Sequence, residues 1–485
     1  MDDPPDDTRD EGAIHDGDEP TTQVALEVSA FRKVLKNRDF MTLWIGQGIS
    51  STGDWVIVGV LLDSVNRLGG NFGLFWLMFF RFLPAFLFGL AAGAVVDRLD
   101  RKTLMIFCEI ARCLLVIVLA FANSLVLICG LLFGIECFSL LFGPARDSSI
   151  PDLVGQEDVM TANSMMSTST YLTMALGTLI ATVILGVAAL IHKFPLVSYV
   201  VPNGATFQHE FAFIVDALTF LVSAMLLFTI AFPRRPRPGT GAFSARSIFT
   251  DLKEGLHFMR TDPLTRGILG LMIVGLIGGG SLYILGAPFA QQVLHSTGAK
   301  FTLLLSSLMI GVVAGAAATP WLSGRFPASR WFVRAVIGFG ITLFVFALID
   351  FYPVSLVVIF IGGSLLGYLL VSAYTLLHQN LAEEIRGRVF AAMNTIMRTC
   401  LLISMGVFAL IQAMFHHLIP WKATAPVSKV VNLGIFHKSF YPAMLALMVG
   451  ALVVIIGGFS FIRTLHQYFR DNHGGGDVEE AGAST

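Results

Sequence analysis

Apolar residues run along this chain in long blocks, with the charged residues gathered between them. A helix that crosses a bilayer needs about 20 predominantly apolar residues. Twelve blocks meet that length: Phe40 to Val65, Gly73 to Val96, Thr103 to Leu119, Leu125 to Phe142, Asn163 to Ile191, Glu210 to Phe232, Gly267 to Pro288, Phe301 to Leu322, Trp331 to Phe351, Val354 to Leu377, Val389 to Phe415 and Phe440 to Ile462. Strands of a membrane barrel would be about half as long and would alternate, which these blocks do not. The pattern predicts an all-α membrane protein with 12 transmembrane helices. The chain ends read differently. Asp2, Asp3, Asp6, Asp7, Asp10, Glu11, Asp16, Asp18 and Glu19 crowd the start. Such a segment cannot bury enough apolar area to order itself, so 1–30 is expected to be a disordered acidic tail. The stretch 464–485, with Gly474-Gly475-Gly476, reads the same way.

Composition strengthens this picture. Hydrophobic residues make up 55% and charged residues 13%, against about 25% charged in globular domains; the mean hydropathy is +0.74. A soluble enzyme is excluded. No cleavable signal peptide pattern opens the chain. Cys108, Cys113, Cys129, Cys137 and Cys400 all fall inside apolar blocks and lack zinc spacing, so they read as small buried apolar residues.

Charge placement sets orientation. With a cytosolic N-terminus, 23 of the 32 Lys and Arg lie in cytosolic segments. Six lie outside: Arg67, Lys193, Lys300, Lys422, Lys429 and Lys438. Arg81, Arg112 and Arg398 lie within spans. Lys and Arg accumulate on the cytoplasmic side of membrane proteins, so both termini are expected there.

The chain also repeats. Ala162-Asn163-Ser164-Met165-Met166 and Met393-Asn394-Thr395-Ile396-Met397 are related by an offset of 231 positions. Long outer loops, 192–209 and 416–436, precede the sixth and twelfth spans. Two six-helix bundles are expected, 31–232 and 267–463, as parallel repeats. Between them, 233–266 reads as a cytosolic linker. It opens with Pro233-Arg234-Arg235-Pro236-Arg237-Pro238 and continues with a helical face of Phe249, Leu252, Leu256 and Met259 suited to the membrane surface. Its cations flank spans and lack interleaved aromatics, so nucleic acid is not an expected partner.

The loop Gly93-Ala94-Val95-Val96-Asp97-Arg98-Leu99-Asp100-Arg101-Lys102 joins the second and third spans. Its pattern G-x-x-x-D-R-x-x-R-K resembles the loop signature of the major facilitator superfamily, with Asp100 in place of the usual Gly. Gly93 would let helix backbones approach. Asp97 would face a helix N-terminus, and Arg98, Arg101 and Lys102 would at the least fix topology. The resemblance implies a gating motif, with Asp97 near Arg386 or Arg388 stabilising the inward-closed state.

Further stretches are similar to one branch of that superfamily. They are Gly46-Gln47-Gly48-Ile49-Ser50 with Gly53-Asp54, Phe142-Gly143-Pro144-Ala145-Arg146 with Ile150-Pro151-Asp152-Leu153, Val215-Asp216-Ala217-Leu218-Thr219-Phe220, and Arg386-Gly387-Arg388-Val389-Phe390. The branch holds bacterial secretion effectors, the enterobactin exporter among them, and has lysophospholipid transporters as kin. The fifth span has Ala175-Leu176-Gly177-Thr178 where proton antiporters of the superfamily often carry Gly-Pro, which weighs against antiport.

An ionisable group at mid-bilayer is costly and is therefore a functional candidate. Asp54 falls about 21 Å and Arg81 roughly 18 Å from the cytosolic side, depths that suit an ion pair. Arg112 and Glu136 both fall about 12–14 Å deep, and Glu109 lies one turn from Arg112. The resemblance places Asp54 and Glu136 at the central cavity and Arg81 on a gating helix. Asp63 and Asp216 are expected to reach outer interfacial water. A carboxylate that exchanges a cationic partner between two states can take up and release a proton. Ion pairing that only locks the N-terminal half together is the competing reading for these five residues.

No phosphate loop, nucleophile elbow or metal-ligand spacing occurs, so no enzymatic activity, cofactor or metal is expected. The glycines Gly275, Gly278, Gly279 and Gly280 sit inside a span and suit close packing. The resulting expectation is a monomeric secondary transporter that exports a small amphipathic or hydrophobic compound by alternating access, with protons as a candidate coupling ion. A lysophospholipid flippase and a non-transporting scaffold or sensor are the alternatives.

Overall fold

The computed structural model describes residues 31–96, 98–232, 257–296, 298–323, 328–381, 383–418, 429–433 and 436–473 of the 485-residue chain. Among these residues, twelve helices are long and apolar enough to cross a membrane. They are α1 (Arg38–Asn66), α2 (Phe72–Gly89), α3 (Arg101–Ala120), α4 (Leu125–Val154), α5 (Val159–Ile191), α6 (Gly204–Thr229), α7 (Pro263–Gln292), α8 (Ala299–Ser323), α9 (Ala328–Leu348), α10 (Tyr352–Asn380), α11 (Glu383–Leu418) and α12 (Pro442–His473). The spans alternate in direction, so α1 starts and α12 ends on one face, called here the terminal face; the other is the distal face.

Local chemistry sets the helix ends. The chain reverses between α1 and α2 at Gly70, whose φ of 54° and ψ of −145° suit a residue without a side chain. Asp100 caps α3 by accepting from the Thr103 backbone N–H at 2.8 Å. Its departure from the loop signature is thereby explained, since a carboxylate at an N-cap satisfies a donor that glycine leaves open. Asn203 and Asp262 cap α6 and α7 in the same manner.

Three elements differ from expectation. Helix α4 runs on to Val154, past Phe142, through a polar continuation that carries the exposed Asp147. Helix α6 begins at Gly204 rather than Glu210, its start defined by the Asn203 cap. In the loop before α12, strands β1 (Lys429–Leu433) and β2 (Phe436–Phe440) form an antiparallel hairpin, with Lys429 opposite Phe440. Hydropathy alone does not register so short a sheet. The acidic tail 1–30, most of the linker (233–256) and 474–485 lie outside the described residues.

The packing repeats. Helix α4 packs on α3 and on the α1–α2 pair, and α10 packs on α9 and α8; α3 packs on α6, and α9 on α12. Across the seam, α5 packs on α8 and α11 on the α1–α2 pair. The chain is thus two six-helix pseudo-repeats. The tightest crossing joins α8 to α10. A Cβ on Gly315 would lie 1.8 Å from the Ser364 carbonyl oxygen, and one on Gly367 would lie 2.0 Å from that of Val312. Gly311 and Gly363 are equally tight against the facing backbone. Each helix therefore presents a G-x-x-x-G face to the other, which lets dispersion contacts hold them where burial from water gives no drive.

Candidate functional site

Two groups of ionisable residues in the N-terminal half bear on the expected site. The first surrounds Arg112. Its Nη2 lies 2.8 Å from Glu109 Oε1, one turn back on α3, and its Nη1 lies 3.7 Å from Asp54 Oδ2 on α1. The guanidinium is sandwiched between the rings of Phe142 and Phe220, 4.9 and 4.5 Å from their centroids, a contact favoured by the ring quadrupole. Glu109 is fully buried and accepts hydrogen bonds from Ser223 at 3.0 Å and Ser50 at 3.4 Å. A buried charge persists only when paired and hydrogen-bonded, and this one is both.

Asp216 completes that group. It is buried rather than at the water interface, because α6 starts earlier than expected and carries it more than a turn deeper. Room for it comes from Gly53: a Cβ there would sit 2.1 Å from Asp216 Oδ1 and 2.2 Å from Thr219 Oγ1. Among the described residues Asp216 Oδ2 has no hydrogen-bond partner. Three stretches that the sequence singles out, around Gly53-Asp54, Phe142 and Val215 to Phe220, therefore converge on one arginine. Asp63 is buried as well, 3.4 Å from His209 Nε2 on α6, and does not reach open water.

The second group faces the other half. Arg81 Nε lies 3.2 Å from Glu136 Oε1. The expected partners are thus exchanged: Arg81 pairs with Glu136, and Asp54 pairs with Arg112. Rise along a helix is common to both arrangements; rotation about the axes separates them. The side chains of Arg81 and Glu136 are 24% and 22% exposed and that of Asp54 is 30%, whereas those of Arg112 and Glu109 are 3% and 0%. Tyr283 of α7 lies within electrostatic reach of both Arg81 and Glu136, and Arg398 of α11 within reach of Glu136. Tyr283 is the residue that hydropathy passes over, since a tyrosine inside an apolar block carries no charge signal.

The loop cations do not all serve one purpose. Arg101 donates to the Ser148 carbonyl at 2.6 Å and pairs with Asp152 at 3.0 Å, tying α3 to the extension of α4. Lys102 Nζ donates to the Phe228 and Ile230 carbonyls at 2.8 and 2.7 Å, closing the open C-terminal end of α6. Arg98 is exposed in the turn, and Arg388 is exposed near the start of α11. Asp97 and the side-chain surroundings of Gly93 and Arg386 lie outside the described residues.

The halves touch at the distal face. Thr182 Oγ1 of α5 donates to Thr302 Oγ1 of α8 at 3.1 Å, and Asn66 Nδ2 of α1 donates to Gln291 Oε1 of α7 at 2.9 Å. Thr302 also packs against Gly59. Among the described residues no metal-binding group of His, Cys, Asp and Glu occurs.

The family model described as Major Facilitator Superfamily matches residues 43–407. The uncharacterized MFS-type transporter YfiS of Bacillus subtilis (strain 168) is 27% identical over 400 residues, covering 76% of this chain and 85% of its own. The enterobactin exporter EntS of Citrobacter koseri is 24% identical over 307 residues, covering 62% of this chain and 67% of its own. A solved bacterial homolog of the human lysosomal transporter Spinster, inward-facing and unoccupied, aligns with a TM-score of 0.65 at 15% identity over 90% of this chain and 96% of that one, a likeness of fold.

Proposed function

Because the chain belongs to the Major Facilitator Superfamily, and is therefore a multi-pass membrane transporter and not an enzyme, we propose that it exports a small amphipathic or hydrophobic compound across the bacterial inner membrane. Both termini are cytosolic in this reading, and one chain suffices. The observation that carries it is the Arg81–Glu136 pair. It is half-buried where Tyr283 and Arg398 of the other half come within reach, in a molecule whose halves are joined at the distal face. That arrangement supports a central site closed on the distal side, around which rocking the halves would exchange access. Exporter relatives support the direction of transport.

The polar groups near the site come mainly from the N-terminal half, and the C-terminal half adds Tyr283 and Arg398 to a largely apolar wall. An amphipathic substrate meets both surfaces. Glu136 and Asp54 are the coupling residues in this proposal. Arg81 and Arg112 are their cationic partners, and Glu109 holds Arg112 in place. An incoming substrate or proton at Glu136 would compete with Arg81 for the carboxylate, which couples occupancy to the pair.

The test is substrate flux in proteoliposomes with and without an imposed pH gradient, for wild type, Glu136→Gln and Asp54→Asn. Gradient-driven flux in wild type that is lost in Glu136→Gln is the expected result. Flux that ignores the gradient removes the proton role. The apolar wall also suits an acyl chain, so labelled lysolipid is run in parallel; uptake of lysolipid alone assigns the flippase activity instead.

A further inference from the structure

Helices α8 and α9 both pack on α10. Between them, toward the terminal face, lies a cavity of about 350 Å³. Its origin is the tight α8–α10 crossing: Gly315 touches the α10 backbone, and Ala314 and Ala318 beside it are too small to fill the space that opens toward α9. Ala335 and Phe360 complete an apolar wall. Trp321, next to the lining residue Leu322, is 58% exposed, as expected for a flank bathed in lipid.

One cation stands in the lining. Arg334 is six residues into α9, about 9 Å from its start. It is exposed, and its guanidinium carbon lies 5.4 Å from the Trp331 ring centroid. It forms no ion pair with any described residue. On the same face of the N-terminal half Arg101 is occupied by Asp152, and Lys102 by the last carbonyls of α6. An arginine with a tryptophan beside it, at interfacial depth and above an apolar hollow, matches the layout of a phospholipid, whose anionic head sits at the interface above its chains.

We propose that the groove between α8, α9 and α10 binds one anionic phospholipid of the terminal-face leaflet, its phosphate on Arg334 and an acyl chain in the hollow. The lipid bridges α8 and α9 within the C-terminal half. The groove is separate from the Arg81–Glu136 pair, so the bound lipid is a resident partner and not the transported compound.

The experiment uses the full chain, purified and given equal amounts of phosphatidylglycerol and phosphatidylcholine, with retained lipid counted by native mass spectrometry. Wild type should retain phosphatidylglycerol in preference. Arg334→Gln should lower that preference about fivefold, the effect of one cation near a membrane surface, and Arg334→Lys should keep it. Ala318→Leu, which fills the hollow, should reduce retention of both lipids. A photoactivatable phosphatidylglycerol should crosslink within 314–322, 331–335 or 360–368. Equal retention of the two lipids by wild type overturns the proposal, as do crosslinks confined elsewhere. If Arg334→Gln fails to fold, Ala318→Leu decides: unchanged retention overturns the site.

Discussion

Gly53 and Asp216 share one space: a Cβ on Gly53 would fall 2.1 Å from Asp216 Oδ1. Alanine at 53 therefore has to displace a buried carboxyl. Overpacking of this kind costs about 1–3 kcal/mol. Gly53→Ala should lower the melting temperature of the detergent-solubilised protein. Asp216→Ala in the same chain should recover most of that loss, since the two effects share one contact. Additive losses would show that the two residues do not compete.

Arg112 is held by Glu109, Asp54 and two phenylalanine rings. Removing one partner of a buried ion pair leaves an uncompensated charge, at a cost of about 3–5 kcal/mol. Arg112→Met should therefore be strongly destabilised, and Arg112→Met with Glu109→Gln markedly less so. Glu136→Gln, at the half-exposed pair, should keep a melting temperature near wild type while altering transport. Equal destabilisation by Glu136→Gln would assign that pair to the scaffold.

Distal closure rests on a few polar contacts, including Thr182 with Thr302 and Asn66 with Gln291. Each hydrogen bond contributes about 1 kcal/mol net. Conformers of a transporter differ by a few kcal/mol, so Thr302→Val with Asn66→Ala should shift the population measurably toward the distal-open form. Spin-label distances between the distal ends of α1 and α7 report it. Unchanged distances would mean that apolar packing around Gly59 closes this face by itself.

The α8–α10 crossing makes a sharper structural prediction. A Cβ at Gly315 or Gly367 would meet backbone oxygen at 1.8 or 2.0 Å, and backbone cannot rotate aside. Gly315→Leu should separate the helices and reduce folded yield, whereas Gly279→Ala, with open space around its Cβ position, should be tolerated. Similar yields for both would contradict the close crossing.

Lys33 lies outside the spans, paired with Glu157 and 2.9 Å from Asp158 at the start of α5. The hydrogen bond to Glu157, then that to Asp158, raises its pKa above the ordinary lysine value. A raised cation pKa means the contact is fully present below the unfolded value and is lost only as pH climbs through the folded one. A spin label at Arg32 should keep constant mobility between about pH 7 and 9 and loosen only well above that range, as well as in Lys33→Gln at neutral pH. Loosening between pH 7 and 9 in the native chain would refute the contact.

Span number, the pairing of halves and the presence of Arg112 and Glu109 inside a span were legible in the sequence, because apolar length and repeat offset are properties of a line; the burial of Asp63 and Asp216 was not. The motif around Asp97 to Lys102 carried the family, and Gly53-Asp54, Phe142 and Val215 to Phe220 marked positions that matter. Their meeting at Arg112 was not legible. Sequence position yields depth through the rise of a helix but does not yield which neighbour a side chain turns toward, so Asp54 could not be assigned to Arg112 rather than Arg81. The burial of Asp216 depended on a cap at Asn203 and on the missing side chain at Gly53, two local details that hydropathy averages away. Tyr283 became visible only when the halves were brought together, and the groove beside Arg334 only when Gly315 set the spacing of α8 and α10. Length and charge chose the architecture; rotation and close approach of the helices chose the site.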